Sequence, residues 1–131
     1  MFGEKELIVT LSKSPKFFEN FRLGFYFSPG RVTVLRLALL QINPTAGDLE
    51  GNSSLIVRAA RTAQAQGADL MATPELALMG YLPRDLLMNH GFIRRGCEKL
   101  TQIARELKGA PPILVGVATP NPADVGRPLY N

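Results

Sequence analysis

The chain has 131 residues, 46% of them apolar and 20% charged, which bounds it to one globular domain at most. Its formal charge of +4 comes from 15 basic and 11 acidic residues without a basic block, so the surface reads as mildly basic and solvated, not shaped for nucleic acid. One cysteine excludes an internal disulfide, one histidine beside it argues against zinc, and no run of about 18 apolar residues offers a membrane-spanning helix.

Residues 1–31 differ in composition from the rest. Six of the seven phenylalanines (Phe2, Phe17, Phe18, Phe21, Phe25 and Phe27) lie there, and Ser28-Pro29-Gly30 closes the stretch as a turn. It is either an aromatic arm for a partner or membrane surface, or not native coding sequence. Its composition favours the second. Glu4, Lys5 and Glu6 precede a short apolar patch, unlike the basic-then-apolar order of a secretory signal, and a cytoplasmic location is expected. Residues 32–131 read as part of a globular domain, and the native start is expected at Val32 or nearby.

Val34 to Ile42 is almost wholly apolar and predicts a central parallel strand buried on both faces. Gly47-Asp48 reads as a turn and helix start. Ile56, Ala59, Ala60 and Ala63 then repeat at helical spacing, predicting a helix over 52–66 with Asn52 or Ser53 as cap and Gly67 past its end. Asp69 to Thr73 is the next strand, cut off by Pro74. Glu75 follows at the carboxyl end of that strand, the edge where open α/β sheets bind ligands. Leu76, Ala77, Leu78 and Met79 after it predict a carboxylate in poor solvent, a setting that suits a general base.

Arg84 to Met88 predicts a turn of helix. A longer helix over 92–108 carries an apolar stripe of Ile93, Cys97, Leu100, Ile103, Ala104 and Leu107. Ile113 to Ala118 is a third buried strand, Thr119-Pro-Asn-Pro a loop, 124–128 a hairpin turn, and Leu129-Tyr130 a fourth strand. Three strands and two helices with a fourth strand beginning cannot close a core on both faces, so the chain reads as the amino-terminal part of something longer.

Several residues have bland readings. Cys97 lies on the apolar stripe as a small core hydrophobe, and Lys99 and Lys108 fit exposed helix positions. Asp85 orders its own loop, Arg84 faces solvent or a neighbouring subunit, and His90 is exposed near a helix start. Tyr81 either closes over a bound ligand or packs with its hydroxyl at a rim. Neither G-x-G-x-x-G nor a Walker P-loop occurs, so nucleotide binding within these residues is not supported.

Pro74-Glu75-Leu76, Gly80-Tyr81 and Pro83-Arg84-Asp85-Leu86-Leu87 resemble the first catalytic segment of the nitrilase, or carbon–nitrogen hydrolase, superfamily. Leu37-Ala-Leu-Leu-Gln-Ile-Asn-Pro-Thr, Gly47-Asp-Leu-Glu-Gly-Asn and the terminal Pro128-Leu-Tyr-Asn match as well. Within the superfamily, Gly-Tyr-x-Pro-Arg-Asp-Leu-Leu is most similar to the glutaminase domains of glutamine-dependent NAD synthetases.

The resemblance implies an α/β fold, the amino-terminal part of a nitrilase-type α-β-β-α sandwich. It also implies a Glu–Lys–Cys triad in which the thiolate attacks a carboxamide, the glutamate moves protons and the lysine steadies the oxyanion. Glu75 occupies the glutamate's position and Tyr81 is the candidate glutamine contact. The lysine and cysteine are expected beyond Asn131. In such enzymes the ammonia passes to a synthetase domain, outside these residues, that uses ATP and magnesium to amidate nicotinic acid adenine dinucleotide. The full-length parent is expected to be a homo-oligomer with no metal held by this segment. Another carbon–nitrogen hydrolase (amidase, nitrilase or carbamoylase) is the first alternative, and a non-catalytic relic or interaction fragment with exposed sheet edges the second.

Overall fold

The computed structural model describes residues 7–11, 35–121 and 128–130. Its main sheet holds β1 (Leu7–Leu11), β2 (Leu35–Leu39), β3 (Leu70–Ala72) and β4 (Ile113–Leu114), adjacent in that order. β2, β3 and β4 run parallel, as the alternation of apolar runs with helices requires, with Ala38 opposite Met71 and Met71 opposite Ile113. The backbone of β1 adds an antiparallel edge, Leu7 opposite Leu39. The sequence predicts no strand there. The six early phenylalanines, and residues 124–127 of the expected 124–128 hairpin turn, lie outside the described residues.

The crossover from β2 to β3 is α1 (Leu49–Ala65). It starts three residues before the predicted position because Asp48, not Asn52 or Ser53, is the cap: its carboxylate accepts from the Gly51 N–H at 2.8 Å. Gly47 supplies the turn before it with φ +84°, and Gly67 takes φ +81° past the other end as expected. Removing the cap in Asp48→Ala is expected to cost about 1 kcal/mol of stability, read from urea denaturation. An unchanged midpoint would mean that water caps α1 as well as this carboxylate does.

α2 (His90–Glu106) is the crossover from β3 to β4, and the Asn89 side chain caps it by accepting from Phe92 N–H at 3.0 Å. Phe92, Ile93, Gly96, Ile103 and Leu107 form its buried side, whereas Ala104 is exposed and Cys97 only half-buried. The stripe is therefore rotated toward Gly96 from its predicted centre. The reason lies on the Glu75 segment: Met79 packs its sulfur and methyl into the notch that Gly96 leaves, where a Cβ would collide. Cys97 is thus displaced from the core to its margin.

Ala38, Leu40, Ile56, Ala60, Ala63, Met71, Leu78, Met79 and Ile103 belong to one buried cluster drawn from β2, β3, both helices and the turn after β3. β2 is less covered than its sequence predicts: Ala38 is buried but Leu35, Leu37 and Leu39 on the alternate face are half-buried. β4 pairs over two residues only, since Gly116 leaves the ladder for partners on the Glu75 turn. Thr119–Pro120 (β5), expected to be loop, pairs antiparallel with Leu129–Tyr130 (β6) to make the anticipated hairpin.

Candidate active site

β3 delivers its chain to Thr73, and Pro74 ends the ladder there. Residues 75–79 form a tight turn closed by Gly80 N–H donating to Leu76 C=O at 2.8 Å. Leu76 takes φ +52°, a conformation that costs a branched side chain about 1–3 kcal/mol and persists only where the surroundings impose it. Two sets of contacts do so. Just past β4, Gly116 C=O accepts from Leu78 N–H at 3.1 Å, and Gly116 N–H donates to the Thr73 hydroxyl at 2.9 Å. Any side chain at Gly116 would press on the Pro74 carbonyl and come within 2.6 Å of Leu76 N. From the other side, Gly80 (φ +79°) lies flat against the backbone of Thr45 and Ala46, and Met79 C=O accepts from Gly47 N–H at 2.9 Å.

The turn sends Leu76, Ala77, Leu78, Met79 and Gly80 into the core and leaves Glu75 exposed. The expected burial of the carboxylate in poor solvent is therefore not found. Its apolar successors fold away beneath it instead of over it. Glu75 opens onto a cleft of about 370 Å³ lined by Ile42, Asn43, Pro44, Pro74 and Tyr81. Ile42 and the two prolines give an apolar wall, while Glu75, Asn43 and Tyr81 supply a carboxylate, an amide and a phenol. Such a mixture suits a small polar molecule with an aliphatic stem. Tyr81 is 61% exposed and lines this cleft, so it stands at the rim and not in the core.

The remaining candidates lie elsewhere. Lys108, Arg84 and His90 are exposed, as expected, and Asp85 is exposed as well. Lys99 is not: its side chain is 13% exposed and pairs with Glu50 at 2.6 Å, joining α2 to the start of α1. Neither lysine nor Cys97 lines the cleft with Glu75. Among the described residues, no group of three or more His, Cys, Asp or Glu could hold a metal ion, and no helix is long and apolar enough to cross a membrane.

The sequence offers Asn52 as a helix cap and Gly116 as part of a strand, but the structure gives each a different role in this geometry. Asn52 sits one turn before Ile56 on the apolar face of α1, and a polar residue in that register is the signal that could have found it. Gly116 interrupts the run from Ile113 to Ala118, and a lone glycine in a strand pattern marks a close backbone approach.

Residues 36–131 match the carbon-nitrogen hydrolase family. A glutamine-dependent NAD(+) synthetase from Synechocystis sp. is 49% identical over 85 residues, 65% of this chain and 15% of that protein. Among solved structures, an amidase from Nesterenkonia sp. superposes with a TM-score of 0.54 at 32% identity, over 68% of this chain and 33% of the amidase. A glutamine-dependent NAD(+) synthetase from Cytophaga hutchinsonii shares the fold, with a TM-score of 0.58 over 69% of this chain and 15% of its own, at 24% identity. The chain thus spans about a sixth or less of the length of the curated synthetases it matches, 11% to 17% of each.

Proposed function

The chain belongs to the carbon-nitrogen hydrolase family, and from that premise we propose that it is the amino-terminal part of a glutaminase domain serving NAD synthesis. Glutamine is the proposed substrate, and the ammonia released would feed ATP-dependent amidation of nicotinic acid adenine dinucleotide in a synthetase part of the same enzyme. The observation that carries this reading is Glu75, held at the carboxyl end of β3 and facing a cleft it shares with Asn43 and Tyr81.

In this reading Glu75 takes the proton from an attacking thiol and later helps water to release the acyl group. Tyr81 lies along the glutamine side chain at the rim. The thiol and the oxyanion-stabilising lysine are supplied from outside these residues, because Cys97 and Lys99 belong to α2 and its junction with α1. ATP and magnesium would act in the synthetase part, and none of the described residues is assigned to them. The same reading makes the full-length enzyme a cytoplasmic homo-oligomer. A second reading, hydrolysis of another small amide, draws on the likeness to the Nesterenkonia amidase.

The test is to read the gene through and past codon 131 and assay both the longest polypeptide and residues 1–131 alone for ammonia release from glutamine. We expect a frame that continues into a lysine and then a cysteine, activity in the longer product, and none in residues 1–131. Activity with a small amide but not with glutamine would select the amidase reading. Glutamine hydrolysis by residues 1–131 alone would overturn the assignment of the nucleophile.

A further inference from the structure

Asn52 is fully buried, with 0% of its surface exposed, on a helix face that also buries Leu49, Ser53, Ile56, Ala59, Ala60 and Ala63. An amide in such a place must satisfy its donors and acceptor inside the protein. It does so with backbone from two segments remote from each other in sequence. Its Oδ1 accepts from Thr45 N–H at 2.8 Å, and its Nδ2 donates to Thr45 C=O at 2.8 Å and to Leu78 C=O at 3.2 Å. Thr45 follows Asn43 and Pro44, which line one side of the cleft. Leu78 lies midway along the turn between Glu75 and Tyr81, which line the other.

We propose that Asn52 is a positioning residue that fixes the separation of the two cleft walls and, through the turn, the place of the Glu75 carboxylate. The inference rests on the reading of Glu75 as the working carboxylate. Its bonds are complementary in a way few side chains can copy. One acceptor and two donors are needed at one point, and only a primary amide of this length presents them. Asp48 already caps α1, so Asn52 is not required for the helix to begin. With Gly47 N–H donating to Met79 C=O and Gly80 packed on Thr45, the asparagine completes a three-point attachment between residues 45–47 and 78–80.

The test compares the 131-residue chain with Asn52→Ala and Asn52→Asp by NMR. Amide exchange is followed at Gly47, Leu78 and Gly80 and, as an internal reference, at Ile103 and Leu107 of the α2 region. The carboxyl carbon of Glu75 is followed at one neutral pH. In Asn52→Ala, exchange at the cleft amides should quicken relative to the reference amides by roughly tenfold or more, the ratio expected when a local attachment and not the whole fold is weakened. The Glu75 signal should move with it.

Asn52→Asp keeps the acceptor but sets a carboxylate against two carbonyl oxygens. Protonation restores one donation, so the ratio of its cleft exchange to that of the reference amides should return toward the ratio in the unaltered chain as the pH falls. Should Asn52→Ala fail to fold, this partial rescue carries the test. Uniform quickening across cleft and α2, or a Glu75 signal unmoved in the folded variants, would overturn the proposal and leave Asn52 a general core residue. None of these signals depends on turnover. Loss of the catalytic reading, seen as full activity in Glu75→Gln, is a separate outcome.

Discussion

Glutamine-dependent ammonia release by a polypeptide that joins these residues to the family's lysine and cysteine should fall by about 10²- to 10⁴-fold in Glu75→Gln. Glutamine has nearly the shape of glutamate but cannot accept a proton at catalytic pH. The substitution therefore isolates proton transfer from packing. Glu75 is exposed, with its neighbours Leu76 to Gly80 holding the turn from below, so the variant should fold as the parent does. Steady-state kinetics would show the loss mainly in kcat, since a group that acts in the transition state contributes little to ground-state binding. Activity within tenfold of the parent would place the general base elsewhere and remove the main support for the proposed site.

Gly80→Ala is expected to destabilise the chain by about 2–5 kcal/mol, read as a lower midpoint in urea denaturation. Two costs combine. The φ of +79° penalises any residue with a Cβ, and that Cβ would be driven into the Thr45 carbonyl and the Ala46 Cα. The obstacle is backbone on both counts, so no rotamer change relieves it. Relief must come from separating residues 45–47 from the turn, which breaks the bond from Gly47 N–H to Met79 C=O. A midpoint unchanged from the parent would show that the turn does not need this close approach.

What was legible in the sequence was local. The strand before Pro74, the two helices and the strand at Leu129-Tyr130 follow from periodicity and turn residues, and all are present. The partner of that last strand, Thr119-Pro120, reads as loop in the sequence. Helix α1 starts at Leu49 because a side-chain cap acts over three residues, and Asp48 comes before either residue first considered for that role. Non-local effects were harder to read. The rotation of α2 that leaves Cys97 half-buried depends on Met79 entering the notch at Gly96, a contact between elements. Glu75 is exposed because Leu76 adopts a positive φ, and a leucine gives no sequence signal for that. The ion pair of Lys99 with Glu50 likewise joins two helices whose packing no spacing rule specifies.

The bond from Gly116 N–H to the Thr73 hydroxyl, together with Gly116 C=O on Leu78, has a consequence for biosynthesis. At about 5–20 residues per second, roughly 2–8 s of translation separate Glu75 from Gly116. Until then β3 has no β4 beside it, and the Leu76 backbone lacks one of the two supports that hold it at φ +52°. The geometry of the turn that carries Glu75 is therefore inherited from a later part of the chain. On the ribosome, β2, α1 and β3 have time to meet before Glu75 is given its final place.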